Sequence, residues 1–409
     1  MNCRFCGNKL NYEFIDLVNS PPSNAFLTKN QLNEPEVFYP LKLFVCDACF
    51  LVQVDEYKKS GDIFNNEYIY FSSVSRTWLL HAKNYADMMV NRFGYDASSQ
   101  VVEIASNDGY LLQYFQKKGI PVLGIEPAEG TSIVARQKGI ETLGEFFGRK
   151  LAQRLADQGR KADLLIGNNV LAHVPDLNDF VPGLKVALKP QGIITMEFPH
   201  LMQLVDEGLF DTIYHEHFSY LSFMTVQSIF RHYGLEVFDL EELPSQGGSL
   251  RIFARHVEDS ARDISGNVAI HLEKERLKGL HTMAYYDNFQ SKADRIKYAL
   301  LKFLIEQRES GRKVAAYGAA AKGNTLLNYC GIRKDLLPFV ADASPQKQGK
   351  YLPCSHIRVV DEAEIRRYEP DYVLILPWNI KEEIMAQLDY IRAWGGKFVV
   401  PMPQVRVIP

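Results

Sequence analysis

One run of nine residues, Val101-Val102-Glu103-Ile104-Ala105-Ser106-Asn107-Asp108-Gly109, constrains this chain more than any other. It opens as a short apolar segment of strand length and ends in a turn of small and polar residues, after which Tyr110 to Lys117 has the length of a short helix. The pattern then repeats. Apolar segments at Val122 to Ile125, around Glu141 to Leu143, at Leu164 to Gly167 and at Ile193 to Phe198 predict four more strands, with stretches of helical length between them. Strands alternating with helices make a βαβ series, and a βαβ series makes a parallel sheet. Leu235 to Leu240 and Ser249 to Ala254 then predict two further strands, joined by the turn-rich Pro244-Ser245-Gln246-Gly247-Gly248.

At 409 residues the chain is too long for one ordinary core, so two or three domains are expected. In front of the sheet, Trp78 to Arg92 carries Leu79, Ala82, Ala86, Met89 and Val90 at helical spacing. It follows an aromatic and polar linker that ends in Glu67-Tyr68-Ile69-Tyr70-Phe71-Ser72-Ser73. Behind the sheet, residues from about Asp259 to Glu309 are dense in Lys, Arg, Glu and Leu, which predicts a pair of connecting helices. A second α/β unit follows: a strand over Lys313 to Tyr317, a tight turn over Gly318 to Asn324, a helix over Thr325 to Cys330, and strands at Pro338 to Ala341, Tyr372 to Leu376 and Lys397 to Val400. The expected division is therefore a module and linker over 1–70, a sheet domain over 71–258, a helical connector over 259–311 and a C-terminal α/β domain over 312–409. The sequence shows no internal repeat and no low-complexity tract.

Lys and Arg total 46 against 49 Asp and Glu, a net charge of −3, so there is no basic field to hold a nucleic acid. The first residues form no apolar leader, and no apolar run approaches the roughly 20 residues that span a bilayer. A cytoplasmic protein without membrane contact is expected. Its oligomeric state is not fixed by the sequence, and a monomer is compatible with it. Four of the six cysteines fall into two C-x-x-C pairs, Cys3 with Cys6 and Cys46 with Cys49. Two such pairs can set four thiolates around one tetrahedral Zn²⁺, and four cysteines close the coordination sphere, so the metal is expected to be structural. Cys330 and Cys354 stand alone as thiols.

Five parallel strands closed by a hairpin is the layout of a class I methyltransferase sheet, a Rossmann-like α/β fold. In such a sheet the turn after the first strand lies at the carboxyl edge, where ligands bind. Glu103 can face the positive amino end of S-adenosylmethionine, and Ala105, Ser106, Asn107 and Gly109 let the backbone approach its methionine part, with Tyr110 and Leu111 following. Gly124-Ile125-Glu126-Pro127 ends the second strand with an acid placed to accept hydrogen bonds from ribose hydroxyls. Asn168 and Asn169 end the fourth strand, where such enzymes hold the adenine. Tyr70 and Ser73 complete the cofactor candidates. A nicotinamide-dependent dehydrogenase is the rival reading, disfavoured because the turn lacks the full G-x-G-x-x-G pattern. The DPPY-like sequence of nucleic-acid amino methyltransferases is absent.

After the fifth parallel strand, Tyr214-His215-Glu216-His217-Phe218-Ser219-Tyr220 emerges at the same carboxyl edge. A phenol, two imidazoles and a carboxylate are the inventory for removing a proton next to a carbonyl. Surface polarity and metal binding are the other readings; alternate residues of an extended segment point apart, which weighs against a metal. His173 is either a polar residue at a helix start or part of the acceptor pocket. Gly318 to Asn324, with Lys322, reads either as a pyrophosphate cradle built from backbone N–H groups and one lysine or as a plain βα turn with an exposed lysine.

Across nearly the whole chain these segments resemble the S-adenosylmethionine-dependent sugar C-methyltransferases that act on nucleotide-linked 4-keto-deoxysugars, including the tetronitrose-type 3-C-methyltransferases. The resemblance rests on the two C-x-x-C pairs, the Glu103-Ile-Ala-Ser-Asn-Asp-Gly109 turn, the Tyr214 to Tyr220 segment and Val314-Ala-Ala-Tyr-Gly-Ala-Ala-Ala-Lys-Gly-Asn324. It implies an N-terminal structural zinc module, a middle S-adenosylmethionine domain, and a C-terminal Rossmann-like domain that helps hold the nucleotide sugar. The catalytic candidates are then His217, Tyr214, Glu216 and His173, and the substrate-binding candidates Lys322, Gly318, Asn324 and Arg251. The alternatives are an O- or N-methyltransferase of small metabolites and a non-catalytic nucleotide-sugar binding protein.

Overall fold

In the computed structural model, which describes residues 1–63 and 70–409, the predicted strands assemble around the nine-residue run. The linker segment from Glu67 to Ile69 lies outside the described residues. Val101–Ile104 (β1), Val122–Ile125 (β2), Thr142–Leu143 (β3), Ala162–Asn168 (β4), Leu188–Pro199 (β5), Leu235–Leu243 (β6) and Ser249–His256 (β7) form one sheet in the order β3-β2-β1-β4-β5-β7-β6. The first five run parallel, with Val101 opposite both Val122 and Leu164. β7 is antiparallel to β5 on one side and to β6 on the other, so the closing hairpin inserts its second strand into the sheet. The chain travels outward from β1 to β3 and returns to β4 on the far side of β1. That reversal makes the carboxyl ends of β1 and β4 the switch point where open α/β sheets bind ligands.

The helix expected over Trp78 to Arg92 spans Arg76–Phe93 (α1). Ser75 caps it by accepting the Trp78 N–H, and Gly94, at φ 72°, ends it. Its buried face, Ala82, Tyr85, Ala86 and Met89, packs with Val101, Leu112, Phe115 and Phe253 in one cluster. The helix expected over Tyr110 to Lys117 is shorter, Leu112–Gln116 (α2). The turn keeps the residues before it. Gly109 adopts φ 74°, where a side chain is strained, and a Cβ there would lie 2.4 Å from Ile140 Cδ1, which would have to shift.

The chain divides into two compact units, one made of Met1–Tyr12, Val45–Met202 and His217–Tyr285, the other of Glu13–Phe44, Gln203–Glu216 and Tyr286–Pro409. The first holds the seven-stranded sheet, the helix Gly266–Lys278 (α3) and an antiparallel pairing of Val52–Val54 with Ser219–Tyr220. The second holds the helix Phe289–Glu309 (α4) and a sheet of Val314–Tyr317 (β8), Phe339–Ala341 (β9), Arg358–Val360 (β10), Tyr372–Ile375 (β11), Lys397–Val400 (β12) and Arg406–Ile408 (β13), in the order β10-β9-β8-β11-β12-β13. Only β13 is antiparallel. β10 and β13 were not foreseen, being three residues each and too short to carry a periodicity. The helix after β8, Ala321–Cys330 (α5), begins earlier than the expected Thr325 and takes in Lys322 and Asn324. Among the described residues no helix is long and apolar enough to cross a membrane.

Candidate active site and metal centre

Both C-x-x-C pairs fold into the same small turn. The residue after the second cysteine takes a left-handed backbone, Gly7 at φ 75° and Phe50 at φ 59°, and donates its N–H to the carbonyl of the first cysteine at 3.0 and 2.9 Å. The four Sγ atoms all lie within 4.8 Å of one another, with Cys3 to Cys49 at 3.6 Å and Cys6 to Cys46 at 3.5 Å. Four thiolates about 2.3 Å from one zinc would stand about 3.8 Å apart, so the cluster fits the ion. Gln53 Nε2 donates to Cys3 Sγ at 3.3 Å while its Oε1 accepts the Arg4 N–H at 2.9 Å, orienting a ligand from the protein side. Arg4 in turn donates to the carbonyls of Pro175 and Val54. The ion's ligands are thereby tied into the first unit.

At the switch point, Ala105 and Asn107 also have positive φ, 54° and 50°, and the turn they form is braced from two directions. Glu126 accepts the Asn107 N–H on Oε2 at 2.9 Å and the Ala128 N–H on Oε1 at 2.8 Å. Burial raises its carboxyl above the ordinary range, and these two backbone bonds oppose that. From the other side, Ser72 N donates to Asn107 Oδ1 at 2.9 Å, Asn107 Nδ2 donates to the Tyr70 carbonyl at 3.0 Å, and the Ser73 hydroxyl donates to Asp108 Oδ2. Tyr70 and Ser73 are thus brought to the turn, and Asp108, absent from the sequence-based candidates, is part of its brace. Leu111 and Pro127 flank the turn, and Leu111 is buried in the α1 cluster.

Several buried polar atoms here lack a well-formed hydrogen bond: Ser106 Oγ, Asp108 Oδ1, the carboxylate of Glu103 and the amide of Asn168, the last two facing the Tyr110 hydroxyl. Each such group left unmet costs about 1–3 kcal/mol, so their grouping at one strand edge marks a polar ligand's place. Burial, aided by the charges of Glu126 and Asp108, pushes the Glu103 carboxyl well above the usual range. A cationic amine beside it reverses that. A buried carboxylate, a second acid held by backbone N–H bonds and a buried amide are groups that fit S-adenosylmethionine, whose amine, ribose and base Glu103, Glu126 and Asn168 would meet. Gly124 is needed in the same place, since a Cβ on it would meet Ser106 Oγ at 2.4 Å.

Next to this edge lies a buried ion network that the sequence did not disclose. Glu197, at the end of β5, accepts from Arg251 Nη2 at 2.8 Å and from the Ser245 hydroxyl at 2.8 Å, and shares a 2.8 Å contact with His81 Nε2. Burial alone would raise its carboxyl; the His81 bond and the Arg251 charge outweigh that and hold it below the ordinary range. Its backbone carbonyl accepts the Asn169 N–H at 2.7 Å. Arg251, a substrate-binding candidate, donates to Glu197 and, at 3.1 Å, to Glu241, and lies over the Tyr85 ring. His81 stacks on Trp78 with ring centroids 4.7 Å apart, and Trp78 stacks on Tyr110.

The Tyr214 to Tyr220 segment crosses from one unit to the other between Glu216 and His217. In the first unit His217 meets His173 edge to face, with ring centroids 4.6 Å apart and planes at 66°. Two imidazoles predicted from separate segments are thus brought together, His173 in the turn that follows β4. In the second unit both Glu216 oxygens accept from Asn24 Nδ2, at 2.8 and 2.9 Å. Asn24 was missed by sequence reasoning, because nothing in a polar residue after two prolines signals a partner so distant in the chain. His215 is buried, contacts the Pro40 carbonyl through Nε2 at 3.2 Å and packs against Tyr39; burial lowers its pKa. Among the described residues the one His, Cys, Asp and Glu cluster with metal-holding geometry is the cysteine site.

Lys322 corrects the picture of an exposed turn lysine. It lies in the first turn of α5, is 8% exposed, and donates to Asn379 Oδ1 at 2.9 Å over the face of Trp378. Where the sequence predicts a tight turn up to Asn324, the helix already runs through Gly323, at which a Cβ would lie 2.9 Å from Leu376 Cβ. Gly318, at φ 90°, is fixed by Pro377, whose ring a Cβ would meet at 2.4 Å. Asn324 Nδ2 donates to the Ser23 carbonyl at 2.6 Å.

Comparison with known proteins follows the same segments. Residues 3–64 match a zinc binding domain, 78–240 a methyltransferase domain and 244–403 a C-methyltransferase C-terminal domain. The C-methyltransferase NovU of Streptomyces niveus is 31% identical over 406 residues, 99% of this chain and 96% of its own length. The ubiquinone biosynthesis O-methyltransferase of Azorhizobium caulinodans is 28% identical over 116 residues, 26% of this chain and 46% of its own. Among solved structures, the PH0226 protein of Pyrococcus horikoshii OT3 aligns with a TM-score of 0.37 and 15% identity, over 46% of this chain and 94% of that one.

Proposed function

This chain belongs to the S-adenosylmethionine-dependent C-methyltransferase family, and from that premise we propose that it works in the cytoplasm on a nucleotide-linked 4-keto-deoxysugar, methylating the ring carbon next to the ketone, C3. Family membership removes the nicotinamide-dependent dehydrogenase from consideration. The observation that carries the proposal is the pairing of His173 with His217 in the unit that holds the cofactor turn. A hydroxyl or amine acceptor is already a nucleophile. A sugar carbon is not, until a base has removed its proton, and a ketone next to it makes that proton acidic enough to remove.

When bound, S-adenosylmethionine supplies an electrophilic methyl on a good leaving group. The chain's own residues do the rest. His217 takes the alpha proton into its imidazole, whose ordinary pKa of about 6.5 lies far nearer working pH than the roughly 10 of a phenol. His173 lies against that ring and shares its surroundings. The C–H electrons pass to the ketone, and Tyr214 donates a hydrogen bond to the enolate oxygen that forms. The carbon then takes the methyl in line. Glu216, held by Asn24, is proposed to bind a sugar hydroxyl. The C-terminal α/β domain is proposed to hold the nucleotide.

Incubation with S-adenosylmethionine and a panel of 4-keto nucleotide sugars, read by mass, tests the proposal. A mass gain of one methyl on a 4-keto sugar supports it; transfer only to simple alcohols or amines contradicts it. Without methyl donor in D₂O, exchange of the alpha proton by the wild-type enzyme would show the base acting alone.

A further inference from the structure

The second unit shows what the segment Val314 to Asn328 is built to do. α5 starts with Lys322 and Thr325 three positions apart, and so on one face. The Thr325 hydroxyl donates to the Ile213 carbonyl at 2.8 Å, one residue before Tyr214. Asp211, fully buried two residues further back, accepts the Trp378 indole N–H on Oδ2 at 2.6 Å. Trp378 is also the ring beneath the Lys322 ammonium. On the neighbouring face, Asn324 donates to the Ser23 carbonyl and Asn328 Nδ2 to the Ser20 hydroxyl at 3.3 Å, fastening the loop from which Asn24 reaches both oxygens of Glu216. Helix α5 thus grips both ends of Asp211 to Glu216, one end directly and the other through the Ser20 to Asn24 loop.

We infer that Lys322, Thr325 and Asn324 are positioning residues that hold the Tyr214 to Glu216 segment in its working conformation, and that Lys322 is not a phosphate ligand. Lys322 is enclosed, and its ammonium already donates to Asn379 Oδ1 over the face of Trp378. Burial raises the Asp211 carboxyl to about 6, opposed by the Lys322 charge and by the Trp378 bond. The inference rests on the proposed function only in naming Tyr214 and Glu216 as working residues.

Amide hydrogen exchange on the full-length protein tests it without needing a substrate. In Thr325→Val the peptide covering 209–216 should exchange at least tenfold faster than in the wild type, while peptides over the cofactor turn and the affinity for S-adenosylmethionine stay unchanged. Thr325→Ser, which keeps the hydroxyl, should restore protection. Lys322→Met and Asn24→Ala should each loosen the same peptide, and Asn24→Ala, on a loop, gives the answer if a helix variant does not fold. Calorimetry with UDP and deoxythymidine diphosphate supplies the opposing arm: Lys322→Met should bind them within twofold of the wild type. Wild-type exchange of peptide 209–216 in Thr325→Val and Asn24→Ala would overturn the inference. So would a tenfold loss of nucleoside diphosphate binding in Lys322→Met.

Discussion

Replacing Glu126, the acid that follows β2, by glutamine tests its proposed cofactor role. In the wild type each carboxylate oxygen spends one lone pair on a backbone N–H, Asn107 at 2.9 Å and Ala128 at 2.8 Å, leaving the others for ribose hydroxyls. Glutamine keeps the volume and one acceptor but turns an NH₂ toward the other site. One charge-assisted bond, worth about 1.5–3 kcal/mol, is lost outright, and the remaining acceptor is neutral. Glu126→Gln should therefore weaken S-adenosylmethionine by about 1–3 kcal/mol, or about 5- to 150-fold in Kd, measured by calorimetry on the purified protein. Alanine is the poorer probe. It would leave both buried N–H groups unmet, at about 1–3 kcal/mol each, and convert a binding defect into a folding defect. A cofactor affinity within twofold of the wild type, with weakened sugar binding instead, would refute the assignment of the switch point to the cofactor.

The cysteine cluster should hold one zinc per chain by elemental analysis, and either chelation or Cys46→Ser should lower the melting temperature; a metal-free, fully stable protein would show the thiols are not a site. Gly109→Ala places a side chain at φ 74° against Ile140 and should destabilise by about 1–2 kcal/mol in denaturant titration, with weaker cofactor binding in proportion to the disturbed turn. His217→Asn should lose alpha-proton exchange and methylation together, by about 10² to 10⁴-fold, whereas near-normal methylation would move the base to Tyr214.

What the sequence made legible was local. The strands of the main sheet, the tight turn at Gly109, the acid at Glu126 and the paired cysteines each announce themselves within a dozen residues, because apolar runs, glycine at positive φ and fixed metal-ligand spacing are short-range demands. What stayed hidden depends on contacts made by distant positions. Asn24 and Glu216 are 192 residues apart, and Glu197 with His81 116 apart; neither pair leaves a periodic trace. Helix α5 begins before the expected Thr325 for a related reason. A glycine such as Gly323 reads as part of a turn unless one knows that Leu376 lies 2.9 Å from where its Cβ would be. The two units are likewise assembled from separated segments, which composition along the chain has no means of showing.

The most direct test of the account is the bond formed in the product. The enzyme would be supplied with S-adenosylmethionine carrying a ¹³C methyl and with the 4-keto nucleotide sugar it accepts, and the product examined by carbon–carbon correlation NMR. The account predicts a labelled methyl coupled directly to the ring carbon beside the ketone, formed by the wild type and lost in His217→Asn. A labelled methyl attached to oxygen or nitrogen would contradict it.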